Sequence, residues 1–587
     1  MIGGICDIAN LFYLPLMKTS LLFGLLVIVA SCNTTNKIPA KTDIDPFHYS
    51  INKKVEAANG AVVSAHPLAS IVGVEILKKG GNAIDAAIAT QFALAVVYPG
   101  AGNIGGGGFM VAQLHNGGQI ALDYREAAPA GAFRDMYLDE KGNADAAKSQ
   151  NGHLAAGVPG TVAGLFASHQ YAKLPMKVLI QPAIELAEKG FVITESEAES
   201  LNYTKEDFVK YNSVTPVFVN NKKWEAGDTL VQKDLANTLK RIRDNGFKGF
   251  YEGETAKLIV EEMQRGKGII TLNDLKNYKA KFREPLVFSY RGYEIIGMPM
   301  PSSGGLLLNQ MLKMIEPFNL GDRRFQTPAS VQLMIEVERR AYADRARYMG
   351  DADFYKVPVD ELRSDVYLRN RMADFKADIA GSSANIKEGL VPGYESEETT
   401  HLSVIDKEGN AVAVTTTLNG GYGSRTVVGG AGFLLNNEMD DFSAKPGSPN
   451  MFGAVGGKAN AIEPGKRMLS SMAPTIVLQK GKPFLVVGTP GGTTIPTSVF
   501  QNIVNVIDFG LSTEDAVNKP KFHHQWLPDV VFLERGFNEG TSKALEKMGY
   551  KIQMRGGYSR SEMIKVLPNG KFEAVADRRG DDAAAGY

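Results

Sequence analysis

The sequence predicts an α/β protein in which β-sheets lie between layers of helices, arranged as a four-layer αββα sandwich. One observation is the strand-rich pattern after residue 399, where apolar and polar residues alternate with a period of two. A second is the long run of amphipathic helical patterns between residues 153 and 390. A third is the glycine cluster at 105–108, which lacks the G-x-G-x-x-G spacing and the preceding strand of a doubly wound dinucleotide-binding sheet.

Length and charge narrow the class of protein. At 587 residues the chain exceeds the size at which one core usually stops growing, which predicts two domains or one large α/β body. The 64 basic and 64 acidic residues balance, and nothing in the composition indicates the basic surface that nucleic acids require. We therefore expect no nucleic-acid partner.

Cysteine and histidine usage excludes several kinds of site. The two cysteines, Cys6 and Cys32, precede the globular part, which excludes a disulfide framework, a cysteine metal site and a cysteine nucleophile in the body. The eight histidines show no H-E-x-x-H spacing, and the adjacent His523 and His524 would point to opposite faces of a strand. We expect neither a metal nor a cofactor.

Residues 1–32 resemble an export signal. Lys18 precedes the apolar run Leu21–Ala30, which is too short for a membrane span of roughly 20 residues. The run leads into Cys32 as in a bacterial lipoprotein signal, where the cysteine carries the lipid; the alternative is an ordinary cleaved signal with a coincidental cysteine. Met17 is a more usual start for such a signal. We predict an exported protein, periplasmic or anchored to the inner or outer membrane as a lipoprotein.

Local patterns predict the elements that follow a polar tether at 33–50. Pro67 can begin a helix that Gly80-Gly81 ends, and Asn82 can cap a second helix that runs to Leu94. Strand patterns occur at 109–114, 119–123, 401–406, 411–418, 433–436, 475–479 and 484–488. Helical patterns occur at 178–190, 232–245, 328–349, 496–509 and 541–548.

A candidate cut site follows the loop-rich, polar segment 364–398, where a chain can be cleaved without exposing core. Thr399 and Thr400 open an alternating strand, and the turn Lys407–Asn410 leads into a second strand. Cleavage before Thr399 would free an α-amine, with a pKa of roughly 7.7–8.0, to act as base for the adjacent hydroxyl. The alternative is an ordinary β-hairpin that uses threonine for its strand propensity.

Strings across nearly the whole chain after the signal resemble the gamma-glutamyltransferase (gamma-glutamyltranspeptidase, glutathione hydrolase) family. The strings are Asn103–Met110, Asp123–Glu126, Pro301–Gly305, Thr399–Asp406, Leu434–Phe442, Leu469–Thr475, Thr489–Gly492, Phe522–Asp529 and Ala585–Tyr587. They stand in the order in which the family has them.

The resemblance implies an N-terminal-nucleophile fold made as one precursor. The precursor would cut itself into a large subunit, 51–398, and a small subunit, 399–587, which stay together as a heterodimer. Thr399 would serve both self-cleavage and catalysis, and Thr417 matches a second threonine that orients it. Gly491 and Gly492 would supply backbone N–H groups to the oxyanion.

The resemblance also implies a pocket for a gamma-glutamyl head group, which carries a free amine and a free carboxylate. An arginine fork such as that of Arg125 suits a carboxylate. The acids Glu438 and Asp441 suit an ammonium group. The substrate-binding residues implied in this way are Arg125, Asn419, Glu438, Asp441, Ser470 and Ser471. Partners would be gamma-glutamyl compounds such as glutathione, with water, amino acids or dipeptides as acceptors.

Two positions depart from the family pattern. Many bacterial members have a lid tyrosine that bonds the residue matched here by Asn419, and this chain has Phe452. A phenyl ring cannot make that hydrogen bond, which predicts a looser lid and a changed balance between water and amino-acid acceptors. Glu398 stands before the cut, where some members have an amide, which predicts an altered speed of maturation.

Two other functions fit parts of the sequence. A related cephalosporin acylase or poly-gamma-glutamate hydrolase would keep the chemistry and change the substrate, but a glutaryl group would leave Glu438 and Asp441 without an amine partner. A catalytically inactive, peptide-binding lipoprotein would have no need of the nucleophile Thr399.

Overall fold

Two seven-stranded antiparallel β-sheets form the centre of the part of the chain that the structure describes. The structure is a computed structural model, which describes residues 44–386, 399–445, 450–451, 453 and 456–587. The predicted signal at 1–32 and the residue before the predicted cut, Glu398, lie outside these ranges.

The strands are β1 (Lys54–Ala57), β2 (Gly60–Ser64), β3 (Gly107–Gln113), β4 (Gln119–Asp123), β5 (Phe191–Val192), β6 (Thr229–Leu230), β7 (Lys281–Arg283), β8 (Leu286–Tyr290), β9 (Tyr293–Gly297), β10 (Thr400–Asp406), β11 (Ala411–Thr417), β12 (Thr475–Gln479), β13 (Lys482–Gly488), β14 (Phe522–His523), β15 (Val531–Glu534), β16 (Ile552–Arg555), β17 (Glu562–Val566), β18 (Phe572–Ala576) and β19 (Ala583–Gly586).

The helices are α1 (Pro67–Lys78), α2 (Ala83–Val97), α3 (Ala146–Gln150), α4 (Thr161–Ser168), α5 (Met176–Lys189), α6 (Glu195–Tyr211), α7 (Lys233–Asn245), α8 (Lys248–Tyr251), α9 (Gly253–Gly266), α10 (Leu272–Asn277), α11 (Gly304–Ile315), α12 (Leu320–Arg323), α13 (Pro328–Tyr348), α14 (Val359–Leu362), α15 (Asp365–Arg371), α16 (Thr494–Ile507), α17 (Thr513–Asn518) and α18 (Glu539–Met548).

The two sheets pack against each other through one face each. One sheet has the strand order β19-β2-β10-β11-β3-β4-β7, and the other has the order β1-β18-β17-β13-β12-β9-β8. Alternate residues of a strand point to opposite faces. In β10, Ile405 packs into the core between the sheets, whereas Leu402 and Val404 pack into the core beneath the helices.

Helices cover both outer faces. Helices α1, α2 and α4 to α9 share a core with the β10-containing sheet, and α11, α13 and α16 share a second core with the other sheet. The predicted four-layer αββα sandwich is confirmed. Among the described helices, none combines the length and the apolar composition needed to cross a bilayer.

Strands from both sides of position 399 are interleaved in each sheet. In the first sheet, β10 and β11 lie between β2 and β3. In the second sheet, the four strands β12, β13, β17 and β18 lie between β9 and β1. A cut before Thr399 therefore divides both seven-stranded sheets between the two products, and neither product contains either of these sheets complete.

Local predictions for the first two helices are confirmed. Pro67 begins α1, and the Asn82 side chain accepts hydrogen bonds from the N–H groups of Ile84 (2.9 Å) and Asp85 (3.0 Å) at the start of α2. Asp85 in turn accepts from the Asn82 N–H at 2.8 Å, which completes a capping box.

Two other local predictions are wrong. Residues 433–436 do not form a strand, because the chain turns back at Gly430 and Gly432, both with positive φ, and only an isolated bridge from Val427 to Leu434 remains. The segment predicted to be loop-rich contains helix α15, which Ser364 caps.

The glycine cluster fits strand β3 closely against its neighbours. A methyl group on Gly105 would lie 2.1 Å from the Leu434 carbonyl oxygen, and one on Gly106 would lie 2.1 Å from the Thr417 carbonyl oxygen. The same group on Gly108 would lie 2.6 Å from the carbonyl oxygen of Thr415. The cluster is required by close packing of backbones, so it has a structural role in this sheet.

We expect Gly106→Ala to destabilise the protein by about 1–3 kcal/mol, because the added methyl group must displace the end of β11. Gly100→Ala is the matched control, since a methyl group there meets nothing within 4 Å. Thermal and urea unfolding of the two variants measure the difference. Equal stability of both variants would contradict this account of the glycine cluster.

Candidate active site

Thr399 immediately precedes β10 at the centre of the sheet. The β10–β11 register pairs Thr400 with Thr416, and its extension by one residue puts Thr399 opposite Thr417. Directly opposed residues of antiparallel strands have Cβ atoms about 4.5–5.5 Å apart. Thr399 is buried, with 5% of its surface exposed. The hairpin thus brings together the two threonines that the sequence singled out.

One cleft collects nine of the predicted site residues. These nine are Arg125, Thr399, Thr417, Asn419, Glu438, Asp441, Ser470, Ser471 and Gly492. Gly491 lies next to the cleft lining, and Phe452 lies outside the described residues. The cleft is also lined by Arg345, Asn450, Met472, Thr493 and Ile495.

The loop after β11 holds the Thr417 hydroxyl. The Asn419 N–H donates to Thr417 Oγ1 at 2.7 Å, and Asn419 has a positive φ of 75°. The Asn419 side chain donates to the Asn437 carbonyl oxygen at 3.0 Å. A backbone donor and a fixed side chain therefore orient both residues at the cleft floor.

Asn103 holds the end of strand β11 in place, a role that the sequence did not reveal. Its Nδ2 group donates to the Thr417 carbonyl oxygen at 2.9 Å and to Thr416 Oγ1 at 3.2 Å. Its Oδ1 atom accepts from the Gly106 N–H at 3.0 Å and from the Thr161 hydroxyl at 2.6 Å. This buried amide ties the glycine cluster to the strand that carries Thr417.

Arg125 is buried between the two acids predicted to share the pocket with it. Its guanidinium donates to Glu438 Oε1 through Nη1 and to Asp441 Oδ2 through Nη2. Burial alone would lower the pKa of Arg125, but the carboxylates of Glu438 and Asp441 raise it. The predicted carboxylate-binding and ammonium-binding groups are therefore paired with each other.

Glu126 adds a third carboxyl group to this cluster and was missed by the sequence. Its Oε2 atom lies 3.8 Å from Arg125 Nη1, and neither oxygen has a hydrogen-bond partner among the described residues. Burial, opposed in part by Arg125, raises the pKa of Glu126 to about 7. Burial also raises the pKa of Glu438 well above its usual range. The cluster therefore holds protons near neutral pH.

Ser470 is fixed by the Pro301–Gly305 segment. The Ser470 N–H donates to the Pro301 carbonyl oxygen at 2.9 Å. The Ser470 carbonyl oxygen accepts from the Ser303 N–H at 2.8 Å and from the Ser303 hydroxyl at 2.7 Å. These two family strings are thus joined at the cleft wall.

Ser471 contacts an arginine that the sequence analysis did not select. Arg345, on the last turn of α13, donates from Nη2 to Ser471 Oγ at 3.0 Å and from Nε to Ser303 Oγ at 3.1 Å. Its position on a predicted amphipathic helix gave no signal, because its partners are distant in sequence.

Gly491 and Gly492 have φ values of 131° and 53° and lead into α16. A methyl group on Gly491 would lie 2.4 Å from Thr494 Oγ1 and 2.9 Å from the Tyr558 carbonyl oxygen. The tight turn needs both the positive φ and the missing side chain. It brings the backbone of Gly492 to the cleft.

Residues next to Phe452 contact the site. Asn450 donates to Asp441 Oδ1 at 2.7 Å, and the Met451 N–H donates to Asp440 Oδ2 at 2.7 Å. The Met451 sulfur lies 3.4 Å from Asn419 Nδ2. The segment before Phe452 is therefore held over the acids of the cleft.

His523 and His524 are buried outside this cleft. His523 contacts the Thr497 hydroxyl and Gln525 Oε1, both at 2.8 Å, while His524 contacts Asp529 Oδ1 at 3.2 Å. Both histidines are packed in the interior and hydrogen-bonded there, and His523 contacts Thr497 of α16. Within the described ranges, no group of three or more His, Cys, Asp or Glu side chains is placed to hold a metal ion.

Comparisons with known proteins identify relatives of this chain. A sequence model described as gamma-glutamyltranspeptidase matches residues 69–587. The chain is 47% identical over 547 residues to the glutathione hydrolase proenzyme of Escherichia coli (strain K12), covering 92% of this chain and 93% of that protein.

Solved structures of two related enzymes superpose on this chain. A cephalosporin acylase from Bacillus halodurans superposes with a TM-score of 0.80 at 27% identity, covering 93% of this chain and 99% of that chain. Helicobacter pylori gamma-glutamyltranspeptidase superposes with a TM-score of 0.54 at 45% identity, covering 59% of this chain and 97% of that chain. The match over most of the sequence shows that the chain belongs to the gamma-glutamyltranspeptidase family.

Proposed function

We propose that this chain is a proenzyme that cleaves itself before Thr399 and then acts as a gamma-glutamyltransferase and glutathione hydrolase. The observation that carries the proposal is the cleft in which Thr399 and Thr417 lie with buried groups of both charges. The large subunit would be 51–398 and the small subunit 399–587. The interleaving of strands from both parts supports a heterodimer that stays assembled after the cut.

Thr399 acts twice in this scheme. In the precursor, its hydroxyl attacks the preceding carbonyl carbon, and the peptide C–N bond breaks as the acyl group moves to the oxygen, which frees the Thr399 amine. Water then hydrolyses the ester, which releases the carboxylate of the preceding residue and restores the hydroxyl. In the mature enzyme, that amine takes the hydroxyl proton as the oxygen attacks the γ-carbonyl of the substrate. The amine of the leaving group is protonated and departs, and water or an acceptor amine then releases the gamma-glutamyl group.

Thr417 and the Gly491–Gly492 turn support these steps. The Thr417 oxygen accepts the Asn419 N–H. In this proposal the Thr417 hydroxyl acts as a hydrogen-bond donor toward Thr399. Backbone N–H groups of the glycine turn stabilise the oxyanion, an effect typically worth about 10²–10³-fold per donor in rate. The absent side chains allow the close approach that this requires.

When the gamma-glutamyl head group binds, its two charges replace the ion pairs between Arg125 and the acids Glu438 and Asp441. On binding, the substrate carboxylate takes donors from Arg125 and from the Ser470-Ser471 pair, while its ammonium takes the oxygens of Glu438 and Asp441. Asn419 adds a neutral hydrogen bond. A zwitterion can make this exchange without leaving a buried charge unpaired, which favours a free gamma-glutamyl group.

The acids distinguish this function from that of an acylase. A glutaryl substrate has no amine, so its binding would leave Glu438 and Asp441 without a cation once Arg125 turned to the carboxylate. The structural likeness to a cephalosporin acylase therefore supports the shared fold, and the acids favour gamma-glutamyl compounds such as glutathione, with amino acids or dipeptides as acceptors. We further propose export by the signal at 1–32, with Cys32 as the lipid anchor.

We expect wild-type protein to give two chains under denaturing conditions, the smaller beginning at Thr399, and Thr399→Ala to remain one chain. Thr399→Ser keeps a hydroxyl and should still be cut. Intact mass and N-terminal sequencing measure this. Native size-exclusion chromatography should show one species before and after cleavage. Cleavage of Thr399→Ala at the same bond would refute Thr399 as the self-cleaving nucleophile.

We expect the KM of a gamma-glutamyl anilide to fall as the pH rises from about 5.5 to about 7.5. Because burial raises the pKa of Glu126 to about 7 and raises that of Glu438, binding an ammonium must release a proton from the empty cleft. One released proton changes the affinity by at most about tenfold per pH unit.

A glutaryl anilide, which lacks the amine, is the control for this pH dependence, and its KM should not fall over the same range. Steady-state kinetics at each pH measure both substrates. A pH-independent KM for the gamma-glutamyl substrate would contradict proton release from the acid cluster.

We expect Phe452→Tyr to raise the share of transfer over hydrolysis, since a hydroxyl at that position can bond Asn419 and help to close the cleft to water. Phe452→Leu is the matched control without a hydroxyl and should not raise it. The measurement is the ratio of the gamma-glutamyl dipeptide to glutamate formed at a fixed acceptor concentration. An unchanged ratio in Phe452→Tyr would reject the lid hypothesis.

A further inference from the structure

A second arginine lies in the wall of the same cleft. Arg345 belongs to the last turn of α13, is 7% exposed and lines the cleft beside Ser471. The sequence strings that identify the head-group pocket do not include it. Its placement therefore needs a separate physical explanation.

Arg345 differs from the other buried arginines of its own helix. Arg339 and Arg340 are both paired with the carboxylate of Glu336 on the same helix, and each has a further aspartate partner. Arg345 donates to two neutral hydroxyls, and the negative charge of Asp441 acts on it and offsets part of the effect of burial on its pKa. It is a buried cation bonded to neutral groups.

A charge in this position is costly without a counter-ion. Burial lowers the pKa of Arg345, yet a guanidinium stays protonated in proteins. Removing a lone charge from water costs several kcal/mol unless an opposite charge compensates it. An anionic ligand in the cleft would supply that compensation.

The acids around Arg125 leave a role for a second cation. Arg125 is already bonded to both Glu438 and Asp441, with Glu126 at 3.8 Å. This group of four contains three acids and one base, so the Arg125 guanidinium is already engaged by carboxyl groups. Arg345 donates to hydroxyls instead of carboxylates, and Asp441, which it shares with Arg125, offsets its charge only in part.

The contact between Arg345 and Ser471 orients the Ser471 hydroxyl. Because Ser471 Oγ accepts the Arg345 N–H, the hydroxyl proton of Ser471 is free to be donated into the cleft. Through Ser303, which also donates to the Ser470 carbonyl oxygen, the same guanidinium fixes the segment that carries both serines. One cation thus orients the neutral donors of the cleft wall.

We propose that Arg345 is a positioning residue of the carboxylate subsite, which makes Ser471 a hydrogen-bond donor and supplies the positive charge that selects an α-carboxylate. The inference rests on the proposed function, since it takes the ligand to be a gamma-glutamyl group. It assigns carboxylate selectivity to Arg345 acting through Ser471, in addition to direct binding by Arg125.

The test compares processed wild type, Arg345→Gln, Arg345→Lys and the control Arg347→Gln. The control makes the same chemical change two residues further along α13, at an exposed position. The substrates are a gamma-glutamyl anilide and its analogue in which the α-carboxylate is an α-carboxamide. Calorimetry with glutamate and with its α-amide adds a binding measurement that needs no turnover.

We expect Arg345→Gln to raise the KM for the carboxylate substrate by about 10- to 100-fold, with kcat changed much less, as for the loss of an interaction with a charged group. The carboxamide substrate should lose at most a few-fold. Arg345→Lys keeps the charge without the fork and should show a smaller loss of the same selectivity. Arg347→Gln should match wild type with both substrates.

Equal losses with both substrates would overturn the proposal, because they would indicate a purely structural role, and so would an unchanged KM for the carboxylate substrate. If Arg345→Gln does not mature, Arg345→Lys gives the same comparison. Absence of turnover in wild type would contradict the proposed function but not the role of Arg345 in binding. Calorimetry would then decide the role of Arg345 from the ratio of glutamate to α-amide affinity.

Discussion

The antiparallel register of β10 with β11 determines where a reactive threonine can stand in this fold. It sets Thr399 opposite Thr417, and both strands are held between β2 and β3 in the middle of the sheet. A slip of one residue would turn every side chain of β10 to the other face, moving the apolar Val404 out of the helix core. The register is therefore fixed by the two cores, and the position of the threonines follows from it.

The glycine cluster and Asn103 extend this constraint to the neighbouring strand. Because side chains at Gly105–Gly108 would strike carbonyl oxygens and carboxylates, β3 can approach β11 only without them. The same approach brings Asp123–Glu126, at the end of β4, toward the cleft, since β4 pairs with β3. One tight sheet thus joins the nucleophile hairpin to the arginine and acid of the head-group pocket.

Sequence reasoning succeeded where the information is local. The cap at Asn82 and the β10–β11 hairpin each depend on residues a few positions apart. The sequence did not predict the β8–β9 hairpin, because it lies in a region whose pattern is mostly helical. What identifies it as a hairpin is the pairing of β9 with the distant strand β12. The roles of Arg345 and Glu126 were not predicted for a related reason. Both roles depend on burial and on partners distant in sequence, which the spacing of residues does not reveal.

The acid surplus in the cleft explains why one arginine would not be enough. Glu438 and Asp441 must be present to receive an ammonium, but in the empty cleft they occupy Arg125. A carboxylate approaching that cluster alone meets a compensated cation and partly ionised acids. Arg345 is bonded to hydroxyls, including that of Ser471, and adds positive charge to the same cleft. With two arginines, the carboxylate of a zwitterion keeps a cationic environment when its ammonium group takes the oxygens of Glu438 and Asp441, so one cleft can hold both charges of the ligand.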